Sequence, residues 1–199
     1  MSGYANKLGN NTEKCKVLHV GRTNPLQNYT VNGISLAKTE NERNIGVIIS
    51  NTLKPTAQCA EASRRAGAVL TQISMSFLYR DRKVFLRLYK QFVRCHLEFA
   101  IPAWAPWAAG DMDILEKVQK RAINLITGLK GRTYEEKLEE LGLTTLRERR
   151  TKFDLVETYK TINGLDRVDR AIWFNFVGQP AHMATRNTTY SKNLVSNRA

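Results

Sequence analysis

At 199 residues, 42% hydrophobic and 25% charged, the chain is long enough for one ordinary domain or two small ones, and apolar enough to bury a core, which argues against wholesale disorder. Its 31 Lys and Arg against 18 Asp and Glu leave a formal net charge of +13. Such an excess favours a polyanionic partner, nucleic acid or an anionic membrane face, unless it serves solubility alone, and it carries no information about fold.

The longest apolar stretch, FAIPAWAPWAA at 99–109, is too short to span a bilayer and contains two prolines. The N-terminal MSGYANKLGNNTEKCK is polar and has no signal-peptide core. Cys15, Cys59 and Cys95 lie far apart and make no metal spacing with His19, His96 or His182. They read as reduced thiols of an intracellular protein, with Cys95 expected to be buried in an apolar helix.

In chain order, residues 1–55 predict strand and turn. CKVLHVGR (15–22) is β-prone, and Asn24-Pro25 opens a turn. Tyr29, Val31, Ile34 and Leu36 alternate around Asn32-Gly33, a hairpin signal because both central residues of a type I′ turn need positive φ. NIGVIIS (44–50) predicts a further buried strand, closed by the turn-like NTLKP.

From 56 onward the period becomes helical. A first helix is predicted over 57–76. After Asp81-Arg82, the residues Phe85, Leu88, Tyr89, Phe92, His96 and Phe99 form one apolar stripe, closed by Pro102 and Pro106. A further helix over about 111–127 takes Asp111 or Asp113 as N-cap and Gly128 as stop. Thr133 with Glu136 and Thr145 with Glu148 are capping boxes for two more, with Gly142 and Gly164 as their stops. Beyond 177 the chain turns polar and is expected to be loose.

The basic residues are the most informative constellation. Lys83, Arg87, Lys90 and Arg94, spaced by four, three and four, stack on one helix face opposite the Phe85–Phe99 stripe. That arrangement suits tracking a phosphate backbone. Arg64, Arg65, Arg80 and Arg82 lie nearby in sequence. Arg147, Arg149, Arg150 and Lys152 open the last long helix, where positive charge opposes the helix dipole. Trp104 and Trp107 are read as core rather than as stacking platforms. Asp166 and Asp169, interleaved with Arg167 and Arg170, read as a surface ion-pair set. No phosphate-binding P-loop, Gly-x-Ser-x-Gly or His-Glu-x-x-His occurs.

Four segments in order, NTEKCKVLHVGR, YTVNGISLAKTENERNIGVIIS, FLYRDRKVFLRLYKQFVRCHLEFAIPAWAPW and ILEKVQKRAINLITGLKGRTYEEKLEELGLTTLRERRTKFDLVETYKTINGLD, resemble the C-terminal half of non-LTR retrotransposon (LINE) reverse transcriptases of the jockey type. The likeness covers about residues 11–176, with a looser echo at 182–194. It implies an α+β, mainly α fold: a palm-remnant β segment (1–55), a thumb-like helical bundle (56–130), a C-terminal helical region (131–176) and a polar tail (177–199). It also implies that Lys14, with Asn11 on the family's Asn-x-x-Lys motif, approaches the incoming nucleotide's phosphates.

The family's metal-binding aspartates, including Tyr-x-Asp-Asp, should lie before NTEKC, and no Asp-Asp pair occurs here. Two-metal phosphoryl transfer needs those carboxylates to hold Mg²⁺. The expectation is therefore a truncated reverse transcriptase-like chain, inactive alone and holding no cofactor, that binds RNA, DNA or their hybrid and no membrane. The missing half of the polymerase is a further expected partner. The nucleic-acid contacts would be Lys83, Arg87, Lys90 and Arg94, supported by Arg64, Arg65 and Arg82. The family's work on chromosomal DNA adds a nuclear expectation. The rivals are a protein-interaction module co-opted from the element and a functionless remnant.

Overall fold

A computed structural model describes residues 11–21, 23–77, 81–172, 174–176 and 194–196. Arg22, Arg80, His182 and most of the stretch beyond 177 fall outside the described residues. The chain is a mixed α/β protein with an N-terminal β region followed by several helices. It divides into two compact units, Met1–Glu148 and Arg149–Ala199, with the boundary in the first turn of the last long helix.

The β region is a set of two-stranded pairs. β1 (Lys16–Leu18) runs parallel to β4 (Ala37–Thr39), and between them β2 (Thr30–Val31) and β3 (Ile34–Ser35) form the predicted hairpin. Asn32 and Gly33 both have positive φ, as that turn requires. Asn24 Oδ1 accepts from Leu26 N at 2.9 Å, closing the expected Asn-Pro turn.

NIGVIIS departs from its prediction as one buried strand. β5 (Asn41–Asn44) and β6 (Val47–Ser50) pair antiparallel, so Ile45-Gly46 is a two-residue hairpin turn with both φ positive. Ile45 is 88% exposed. Gly46 is doubly constrained, because a Cβ there would also lie 3.0 Å from the Phe99 ring. On the other side of β6, Ile48 N donates to Gln58 Oε1 at 2.8 Å.

The helical core follows from three amphipathic faces. α1 (Thr56–Ser76) buries Cys59, Ala62, Ala66, Leu70 and Ile73, at helical spacing. Next come α2 (Arg82–Leu88), a π-helical turn (Tyr89–Val93) and α3 (Arg94–Glu98), started by Asp81, whose carboxylate accepts from Lys83 N and Val84 N. The helix ends before Pro102, which sits in the first turn of the short α4 (Ile101–Trp104). α5 (Ala109–Asn124) buries Leu115, Val118, Ala122 and Ile123. α1 packs on α5, on the π turn, on α3 and on β6.

Two expectations for α5 are corrected. The helix begins at Ala109, so neither Asp111 nor Asp113 is its N-cap. Asp111 is buried in the first turn and accepts from Thr56 Oγ1 at 2.9 Å, which ties the starts of α1 and α5 together. The helix also ends at Asn124, and Gly128 (φ +85°) belongs to the turn beyond.

α6 (Tyr134–Leu141) has the predicted capping box of Thr133 and Glu136, and Gly142 closes it in the left-handed conformation. A buried polar hub holds this region to the core. Gln119 accepts from Tyr89 Oη at 2.6 Å and donates to Glu116, Tyr134 Oη and the Thr144 carbonyl. Glu116 in turn accepts from Tyr134 Oη and from Leu146 N. Burial pushes the Tyr89 phenol far above its ordinary range, and burial with the Glu116 contact does the same for Tyr134, so both stay neutral donors.

In the second unit, the rest of α7 (Leu146–Ile162) is followed by Gly164 at φ +64°, the predicted stop. Asp166 accepts from Thr161 Oγ1 at 2.7 Å and Asp169 from Ala171 N at 3.0 Å, so the loop carboxylates fix local turns. Arg170 donates to the Ile162 carbonyl. β7 (Phe174–Phe176) pairs antiparallel with β8 (Leu194–Ser196), which puts a strand inside the stretch expected to be loose.

Candidate nucleic-acid interface

Asp81 fixes the start of α2 and thereby the direction in which its cations point. Phe85 and Tyr89 are buried on one side, while Lys83, Arg87 and Lys90 are exposed on the other. None of these three cations has a carboxylate partner among the described residues.

Arg94 leaves the stripe. The buried series is Phe85, Tyr89, Val93, Leu97 and Ile101, at strict spacings of four. In a regular α-helix each such step overshoots a turn by about 40°, so the series would wind off the core. The π turn, which closes i to i+5, takes up one overshoot and keeps Phe85 to Leu97 on one face. The same turn rotates Arg94 towards the protein, where its side chain is 17% exposed and pairs with Glu98 at 3.6 Å. Phe92, assigned to the apolar stripe, is turned out to solvent, and Phe99, beyond the helix end, is half exposed with its ring against Gly46.

The supporting arginines are engaged as well. Glu61 binds Arg64 at 2.7 Å, Arg65 at 2.7 Å and Arg43 at 3.0 Å. Arg64 and then Arg43 hold its carboxyl at about 2, below its ordinary 4.5. Arg82 pairs with Glu140, which also binds Arg132. Lys14 is exposed at the end of a single 3₁₀ turn, Thr12–Lys14.

Cations on α5 were missed in the sequence. Lys117, Lys120 and Arg121 are exposed, and their partners are uncharged: Lys120 lies 5.0 Å from the Tyr134 ring centre, and Arg121 donates to Thr71 Oγ1 at 3.1 Å. Their three- and four-residue spacing was the available signal. In the cluster at the start of α7, Arg149 stacks over Phe153 at 5.7 Å, Arg150 is buried, and Arg147 and Lys152 are exposed.

Trp104 is core as expected, with Nε1 donating to the Phe99 carbonyl at 2.7 Å, but Trp107 is 67% exposed. Cys95 is exposed rather than buried, because the π turn carries it outward. Among the described residues, no three His, Cys, Asp or Glu side chains converge, and no helix is long and apolar enough to cross a membrane. No family model matches the chain, and neither a curated protein nor a solved structure is similar to it.

Proposed function

We propose that the chain is a nucleic-acid-binding module related to the thumb and adjoining palm edge of a LINE-type reverse transcriptase, with no polymerase activity of its own. The observation that carries this reading is the face of Lys83, Arg87 and Lys90. Three cations lie on one side of a helix whose other side is locked in the core, with no carboxylate paired to them among the described residues. Phosphate oxygens are the natural partners of such a face, and contacts of this kind position a duplex without reading its bases. The ordered likeness of the sequence segments supplies the polymerase part of the reading, and the absence of an Asp-Asp pair from the chain supplies the inactivity.

The test is binding of a short RNA–DNA hybrid by the purified chain across a salt series. Reversing Lys83, Arg87 and Lys90 to Glu should flatten the log affinity against log salt slope by about 2.7, at 0.9 per lost phosphate contact. An unchanged slope would sink the reading, and so would extension of a primer by the chain alone with Mg²⁺.

A second reading, a protein-interaction module, has one observation in its favour. Leu155, Val156 and Tyr159 on α7 are each at least half exposed. Concentration-dependent association that survives high salt and is abolished by Leu155→Lys with Val156→Lys would favour it.

A further inference from the structure

The surface between α1 and α5 holds an open groove of about 630 Å³. It follows α1 from residue 60 to residue 71, a length of about 16 Å at 1.5 Å per residue. Arg64 stands on one wall and Lys117 and Arg121 on the other, while Gly67 and Ala68 keep the floor low. Among the described residues, no carboxylate and no aromatic ring lines it. The stripe residues Lys83, Arg87 and Lys90 are not part of it.

We infer that this groove is a second nucleic-acid site, which holds the sugar–phosphate backbone of one strand between Arg64 and the Lys117–Arg121 pair. The inference rests on the nucleic-acid reading above and adds to it a single-strand site on another surface. Charge complementarity selects the occupant, because every charged group lining the groove is a cation. Lys117 and Arg121 are one turn apart, about 6 Å along the axis, a pitch that successive phosphodiesters can follow. Glu61 uses Nε and Nη2 of Arg64, which leaves Nη1 for a phosphate oxygen. Arg121 is presented by a hydroxyl, Thr71 Oγ1, which does not neutralise it.

Width separates strand from duplex. Two directly packed helices have axes about 8–10 Å apart, so a double helix rests across the rim while one backbone enters. The missing aromatic ring removes base stacking, so the site should be indifferent to sequence and even to the presence of bases.

The test uses the whole chain with labelled oligo(dT), an abasic strand of the same length and a short RNA–DNA hybrid. One variant is Lys117→Glu with Arg121→Glu. The other is Gly67→Glu, which keeps all three cations and puts a negative charge in the groove, where an added Cβ meets nothing within 4 Å. Each should weaken oligo(dT) and the abasic strand alike by roughly tenfold at low salt, and the double variant should flatten the salt slope by about 1.4, at 0.7 per contact. Hybrid binding should stay within twofold of the wild type.

Gly67→Glu carries the test if the double variant fails to fold, as judged by circular dichroism. Oligo(dT) binding untouched by the groove variants overturns the inference. So does a bound strand that needs its bases, or inorganic phosphate competing as well as the strand at equal phosphate. Stripe-dependent hybrid binding without oligo(dT) binding overturns the groove alone, whereas loss of both ligands in the wild type overturns both readings.

Discussion

Glu61 is the only carboxylate bound to Arg43, Arg64 and Arg65 among the contacts described, so three formal charges of the basic surface depend on one proton. Its folded-state pKa, about 2, lies below the ordinary 4.5, chiefly through Arg64 and then Arg43. A depressed acid stabilises the fold fully above the unfolded value and loses that contribution as pH falls from about 4.5 towards 2. Thermal melts across that interval should show the wild type losing more stability than Glu61→Gln. Parallel curves would remove Glu61 from the acid response. Ile45 tests backbone strain at the same scale: it is β-branched, 88% exposed and held at φ +46° in the β5–β6 turn. Asn tolerates that conformation and Ile does not, so Ile45→Asn should stabilise by about 1 kcal/mol in urea unfolding. A destabilised variant would mean that the Ile45 side chain contributes packing that its exposure does not reveal.

The helix from Arg82 to Glu98 shows what a sequence conveys about an element and where it misleads. Its start at Asp81, the Asn32-Gly33 hairpin, the span of α1 and the Thr133–Glu136 box were all legible, because each depends on neighbours a few residues away. Phe85 and Tyr89 were legible as core for the same reason. Val93 and Leu97 were not, since a π turn has no composition of its own and is chosen by the core it must face. The candidate site inherited that error at Arg94. It was further blurred by partners remote in sequence: Glu140 for Arg82, Glu61 for Arg43, and Arg64 brought opposite Lys117 and Arg121. The π turn itself is open to test by changing chain length. Deleting the exposed Gln91 leaves Phe85, Tyr89, Val93 and Leu97 at spacings of four, three and four, which a regular α-helix buries on one face. Inserting Ala after Gln91 instead carries Val93 and Leu97 off the core, at about 1.5–3 kcal/mol for each side chain exposed. Urea unfolding should therefore find the deletion cooperative and the insertion several kcal/mol less stable. Equal loss in both would refute the compensating role of the π turn.

At the scale of the whole chain, apolar burial and positive charge are distributed differently. The buried hydrophobic residues run from Cys59 to Leu146, all within the first unit, and the described residues of the second unit contribute none. Helices draw most of their stability from a packed apolar face, and the part of α7 beyond the boundary leaves Leu155, Val156 and Tyr159 largely in solvent. The exposed stripe on α2 and the π turn, and the groove between α1 and α5, are by contrast both mounted on the buried core, so their cations are held in place before any partner arrives. Such preorganisation reduces the entropy lost on binding. The same contrast predicts a gradient in amide hydrogen exchange. Protection in α1 and α5 should approach the free energy of global unfolding, whereas amides of α7 past Arg150 should exchange through local opening, much faster and with little sensitivity to denaturant. Adding oligo(dT) or hybrid duplex should slow exchange around the basic surfaces of the first unit and leave the α7 amides unchanged. Protection of α7 equal to that of α1 in the free protein would show that its exposed apolar face is covered in solution, and would move the weight of the functional reading towards protein interaction.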